Sequence, residues 1–285
     1  MALKPQSHAS LSFIPRTGTM NPKVMSLPAN YQPAADLLSG RVALVTGAGQ
    51  GLGKVAALAF AQHGAAVILH GRNVPRLEAT YDEIVAAGYP EPAILPLDYF
   101  KTTQVELDAY AQSIHSTFGR LDVIFHGASH FVSCMPLALH DLDMWLKYSR
   151  VNIAAPAALT KACLPLLKRA ADGSVIFLTE THAVEPKAFW GAFSVTKGAL
   201  NNLIAIWADE MEGQSKVRFN LCLPGPVASP MRSKSHPGEI SSQHRQASAL
   251  ARYFLFLAGS DSSAISAALL DCMHDSCAFP DSSQR

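Results

Sequence analysis

The sequence predicts an α/β fold in one domain, a doubly wound parallel sheet with helices on both faces. From Arg41 onward, short apolar runs alternate with longer helix-like segments. The runs are continuously apolar rather than alternating, the pattern of strands covered on both sides. A Gly-rich turn joins the first of these strands to the first helix. With 285 residues, 49% of them hydrophobic and 16% charged, the chain can fill one sizeable core.

Residues 1–38 are rich in Ser, Pro and small side chains, lack periodicity, and read as a flexible arm. The folded part is expected over 39–272. It opens with a strand at Val42–Val45 and an amphipathic helix from Leu52 to His63 that Gly64 ends. Ala66–Leu69 is the next strand and Val74–Ala87 the next helix. Ala93–Leu97 and Thr103–Phe118 repeat the unit, the helix stopped by Gly119. A strand at Val123–Phe125 leads to a long helix over 141–169, then a strand at Ser174–Leu178 and a helix over 193–212. A strand at Val217–Cys222, a polar loop over 231–246, a helix at Ala247–Ala258 and a short strand at Ala267–Leu270 complete the reading. Residues 273–285 read as a tail.

A net charge of +1 gives no footprint for nucleic acid or an anionic membrane. No apolar run approaches the ~20 residues of a membrane span, and no secretory signal is evident at the N-terminus. The five cysteines (Cys134, Cys163, Cys222, Cys272, Cys277) are scattered and odd in number, as for reduced thiols. A cytoplasmic protein is the expectation.

The turn reads Gly47-Ala-Gly49-Gln50-Gly51-Leu52-Gly53 and opens a helix. Gly47 permits the tight turn, Gly51 the approach of a pyrophosphate, and Gly53 close helix–strand packing. Backbone N–H groups at the helix N-terminus then face the anion. These features predict a bound nicotinamide dinucleotide. At the end of the second strand, His70-Gly71-Arg72-Asn73, an acidic side chain would hold the 2′-hydroxyl of NAD, and none is present. Arg72 instead offers a guanidinium to a 2′-phosphate, so NADP is expected ahead of NAD. Asn73 is expected beside it, and Asp98 beside the adenine or as a cap.

At these residues the chain resembles the short-chain dehydrogenase/reductase family, over about 31–271. Thr46-Gly47…Gly51-Leu52-Gly53 matches that family's variant of the Rossmann fingerprint. Leu121–Ser129, which includes Ala128, matches the segment usually ending Asn-Asn-Ala-Gly, and Val151-Asn152 the helix with the family's Asn. Pro224-Gly225-Pro226-Val227 matches the segment beside the nicotinamide. The stretches Tyr31–Leu38 and Trp190-Gly-Ala look like a bacterial subgroup with poorly characterised members. The resemblance implies hydride transfer between NADP(H) and a small carbonyl or alcohol substrate, with Pro224, Val227, Asn152 and Lys197 near the cofactor. It also implies a homodimer or homotetramer, paired through the helices beginning near Asp141 and Phe193.

In the family a Tyr, four positions before the Lys, moves the hydroxyl proton, and a Ser thirteen positions before that Tyr binds the substrate oxygen. Counting from Lys197, the Tyr position holds Phe193 and the Ser position Glu180, with Thr179 or Thr181 there if the register slips by one. Asn152 and Lys197 remain. Three readings are open. In a rebuilt site, Glu180 serves as acid or base, with His182 a second candidate. In a protein that binds NADP without the redox step, the chain is a scaffold or catalyses elimination or isomerisation. In a plain reductase, the proton arrives through ordered water. The first and third together rank ahead of the second. Tyr148, one turn before Asn152, could replace the lost hydroxyl, although helix packing also accounts for it. Ser129, Glu180, His182, Phe189, Trp190 and Phe193 are the candidate pocket lining. No His, Cys or Glu spacing suits a metal, and none is expected.

Overall fold

The computed structural model describes residues 22–276. Its centre is an eight-stranded sheet in which every neighbouring pair is parallel. The strands are β1 (Lys23–Pro28), β2 (Val42–Thr46), β3 (Ala66–His70), β4 (Ala93–Ile94), β5 (Val123–His126), β6 (Gly173–Leu178), β7 (Val217–Leu223) and, after two short outlying strands β8 (Val227–Ala228) and β9 (Arg245–Gln246), β10 (Ala268–Ser276). Their spatial order is β1-β10-β7-β6-β5-β2-β3-β4, so the connection reverses direction between β2 and β5. Crevices form at such a reversal, outside the carboxyl ends of the strands.

Successive strand residues face opposite sides of the sheet. Val45 and Phe125 therefore pack with α1 (Gly51–Gln62), α2 (Val74–Ala86) and α9 (Ala251–Ala258). Their neighbours Leu44 and Ile124 pack with α3 (Gln104–Phe118), α5 (Ala155–Leu167) and α7 (Gly191–Met211). Each fully buried Leu or Phe in these layers contributes about 1.5–3 kcal/mol. Local chemistry sets the ends. Thr103 and Glu106 cap α3 reciprocally, and Gly119 closes it in the left-handed conformation (φ 68°).

Five expectations need correction. The arm expected over 1–38 gives way to β1 from Lys23, pairing Lys23 with Ala268 and Met25 with Leu270; residues 1–21 lie outside the described residues. The stretch was hard to read because Val24 is 61% exposed while Met25 and Leu27 are core, and because the strand ends in Pro28, which an edge tolerates. The expected tail starts too early, since β10 runs to Ser276. The strand expected at Ala93–Leu97 narrows to Ala93–Ile94, although Leu95 N and Leu97 N still donate to Leu69 O and Gly71 O (3.0 and 3.2 Å). The expected long helix is α4 (Leu142–Ser149) and α5 joined by a π turn at Arg150–Ala154. Finally, the loop expected over 231–246 begins with α8 (Pro230–Ser235). Ser229 caps it by accepting a hydrogen bond from Arg232 N (3.2 Å), and the Arg232–Glu239 ion pair (2.6 Å) braces the turn that leaves it.

Among the described residues no helix is long and apolar enough to cross a membrane.

Candidate active site

The carboxyl ends of β2, β3, β5, β6 and β7 open into one cleft of about 560 Å³. Gly47, Gly49, Gln50, Gly51 and Leu52 line its nucleotide end. Gly47 holds φ 74°, and a Cβ there would lie 2.9 Å from Ala128 N. A Cβ on Gly53 would collide with the Gly47 carbonyl, so helix α1 can sit this close to the turn only without one. Gln50 precedes α1 without capping it through its side chain, which leaves first-turn N–H groups for an anion.

Arg72, Asn73 and Asp98 line the same end. The Arg72 guanidinium lies over the Phe100 ring, 5.1 Å from its centroid. Asn73 also caps α2 by accepting from Arg76 N (3.1 Å), and Asp98 accepts from Phe100 N (3.0 Å), bracing the turn that carries that ring. Arg76, which the sequence reading missed, donates to the Gln50 side chain and lines the cleft beside Arg72. Its position one turn into α2 was the available signal. Ala128, Pro224 and Val227 also reach the cleft wall.

Glu180 stands where β6 ends and caps the short helix α6 (Thr181–Val184). Its Oε2 accepts from His182 N at 2.9 Å, while Oε1 is buried with no hydrogen-bond partner. Burial pushes this carboxyl up to about 7, against the His182 N–H and the charge of Lys197. Lys197 is 4% exposed and donates Nζ to Leu178 O at 2.8 Å. Burial lowers its ammonium to about 8, with Glu180 acting in the opposite sense. The two groups thus sit near neutrality in one cleft, the arrangement proton transfer needs.

Phe193 forms part of the wall and presents no hydroxyl. Thr179 and Thr181 also line the cleft, the Thr179 hydroxyl donating to Lys197 O (3.5 Å). The His182 ring lies over Trp190 with centroids 4.3 Å apart, its Nδ1 3.3 Å from Glu185 O.

Asn152 is not brought to the cleft surface. It is 2% exposed, accepting from His130 N (2.7 Å) and donating to His130 O and Thr196 Oγ1 (both 3.1 Å). It lies within the π turn, and its hydrogen bonds order the loop at His130 against α7. Tyr148 is likewise committed: its hydroxyl accepts from Val132 N (2.9 Å) and does not line the cleft. Phe189 is 56% exposed and outside the lining, while Phe131, absent from the sequence reading, is inside it. No group of three or more His, Cys, Asp and Glu side chains among the described residues is placed to hold a metal ion.

Residues 41–240 match the short chain dehydrogenase family model. The chain belongs to this family. It is 33% identical to the oxidoreductase YciK of Escherichia coli K12 over 233 residues, 82% of this chain and 92% of that one. A short chain dehydrogenase from Shigella flexneri 2a, solved with NADP, superposes with a TM-score of 0.82 at 30% identity, covering 85% of this chain and all of that one. One from Escherichia coli CFT073, solved with NADPH, superposes at 0.81 with 32% identity, covering 84% and 99%. In this chain the glycine turn and Lys197 line one cleft.

Proposed function

We propose that this chain transfers a hydride between NADP(H) and a carbonyl or alcohol substrate, with Glu180 moving the proton that the family's Tyr would move. The observation that carries the proposal is the unpartnered, buried Oε1 of Glu180, lining the cleft within electrostatic reach of Lys197.

The nucleotide end suits NADP(H). The turn at Gly47–Gly53 excludes side chains where a pyrophosphate would lie, and Arg72 with Arg76 offers two guanidinium groups at the end of β3, where Gly71 supplies no carboxylate. The solved relatives with NADP and NADPH support the same choice. When bound, NADPH supplies the hydride that reduces the substrate's carbonyl carbon. Protonated Glu180 donates to the carbonyl oxygen, giving the alcohol; in the reverse direction the carboxylate removes the hydroxyl proton. Lys197 stabilises the carboxylate left after donation, and Phe193 and Trp190 keep that end of the cleft apolar, which holds the Glu180 proton in place at neutral pH.

Absorbance of NADPH, followed with the purified protein and a panel of ketones, aldehydes and quinones, tests this reading. Turnover by the wild-type chain supports it. Tight NADPH binding without turnover, with activity gained only in Phe193→Tyr, overturns it in favour of a binding role.

Cofactor choice has its own test. Arg72→Ala is expected to weaken NADPH by about 1–3 kcal/mol, the loss of one charge-assisted contact, and to leave NADH nearly unchanged. Equal losses in titrations with both cofactors refute the role of Arg72.

The chain is also proposed to pair with a second copy through α4 and α7. Leu142 (73% exposed) and Leu146 (57%) lie one turn apart on α4, and Val195 (55%) and Ile206 (57%) lie three turns apart on α7. Light scattering should give a dimer or tetramer for the wild type and a monomer for Leu142→Ser/Leu146→Ser. A wild-type monomer at micromolar concentration rules the pairing out.

A further inference from the structure

Beyond the reaction, the cleft carries information on the body of the substrate. We infer that its substrate end selects aryl carbonyl compounds or the corresponding alcohols, with the planar ring against Phe131 and Trp190. The inference rests on the reading of this cleft as a carbonyl–alcohol site.

The three rings line the cleft as one cluster. Trp190 lies 5.7 Å from Phe131 and 6.1 Å from Phe193 between centroids, tilted by only 32° and 37°. Phe131 meets Phe193 edge-on at 5.1 Å. Phe193, where the family has Tyr, is buried behind these two rings and backs the wall. Phe131 and Trp190 offer π faces and edges beside the polar Ser129, Thr181 and His182 of the same lining, and a hydroxylated group set against the rings themselves would lose water contacts without replacement. A planar ring meets these faces in offset or edge-on geometry and gains attraction beyond the area it covers. At the reacting end, Glu180 lines the cleft and carries a buried Oε1 with no hydrogen-bond partner.

The wall is also fixed in advance. Phe189 sits in the left-handed region (φ 74°), rare for an aromatic residue, and its carbonyl accepts from Met135 N at 2.9 Å. That bond ties the loop carrying Trp190 to the loop carrying Phe131. The Tyr148 hydroxyl, holding Val132 N at 2.9 Å, anchors the second loop to α4. The Ser194 hydroxyl donates to His182 O at 2.5 Å and anchors the first. Strain of this kind persists only where surrounding contacts enforce it, and here the contacts place two aromatic side chains at one site.

Calorimetric titration of the full chain saturated with NADP⁺ tests the inference with 2-naphthol and its saturated analogue decahydro-2-naphthol. Both present one hydroxyl on the same carbon skeleton, and the saturated one has at least as much apolar surface, so area alone would favour it. The expected result is 2-naphthol bound about tenfold more tightly, equally in wild type and Glu180→Gln. Phe131→Leu and Trp190→Leu should each bring the two Kd values within about twofold, with NADP⁺ affinity unchanged as the control for folding. Equal affinities in the wild type, or a preference that survives both Leu variants, overturns the inference. Absence of turnover with 2-acetonaphthone, beside a retained binding preference, would instead count against the redox reading and leave the aryl selectivity standing.

Discussion

Glu180→Gln is expected to lower kcat for NADPH-dependent carbonyl reduction by about 10²–10⁴-fold, the usual contribution of a positioned general acid, with the Kd for NADPH unchanged. The substitution is nearly isosteric. Its amide oxygen can still accept from His182 N, so the cap of α6 survives while the transferable proton is lost. The pH profile gives a second signature. Reduction requires the protonated carboxyl, held up to about 7 by burial, so the rate should be level below pH 7 and fall above it. Oxidation requires the carboxylate and should run the opposite way. Lys197, lowered to about 8, remains cationic through most of this window and does not create the step. In Glu180→Gln the step near pH 7 should vanish. A Gln variant with nearly wild-type rate and an unchanged profile would assign the proton to ordered water and sink the role of Glu180.

The second large effect concerns stability in acid. His70, Thr46 and His126 stand side by side in register at the ends of β3, β2 and β5. Both ring nitrogens of His70 are buried without hydrogen-bond partners, and burial lowers the imidazole to about 4. His126 stacks on Phe177 at 4.5 Å, its Nε2 2.9 Å from Thr160 Oγ1. Burial lowers it to about 3, with the positive charges of His70 and Lys197 adding to the effect. Both folded values lie below the ordinary imidazole value of 6.5. Above that pH neither folded nor unfolded chain binds these protons, and the stability is fully present. As pH falls from 6.5 toward 4, the unfolded chain takes up two protons that the folded one refuses. The loss is roughly 3 kcal/mol per His by pH 4, a large share of the 5–15 kcal/mol typical of a domain.

Urea unfolding at a series of pH values should therefore show stability collapsing between about pH 6 and 4. The carboxylate of Asp172 acts in a lower window. Its burial alone would raise it, but Arg218 and Arg41 hold it below the usual carboxylate range, so its contribution is lost only beneath that range. His126→Asn should remove about one proton from the slope. A wild-type stability independent of pH over this interval would show that the folded chain accepts these protons.

The nucleotide end of the site was legible in the sequence because its chemistry is local. Gly47, Gly51 and Gly53 act within one turn, and Arg72 follows directly from the end of β3. The spacing from Lys197 likewise led to Phe193 and Glu180, since one strand and one helix carry both. What the sequence withheld depends on tertiary placement. The π turn that contains Asn152 leaves no mark in a run of helix-forming residues. Phe131 and Arg76 become lining residues only through the packing of loops and of α2. Strand β1 carries too little periodicity to be recognised without the β10 edge that receives it.

That edge has a consequence for the order of events in folding. The Lys23–Ala268 pairing joins segments separated by nearly the whole described chain, so its closure entropy is among the largest in the molecule. During synthesis, Met25 and Leu27 emerge early and have no sheet to enter until β10 has left the ribosome. Of the described strands, the one made first can be seated only last, as a latch across a sheet assembled without it.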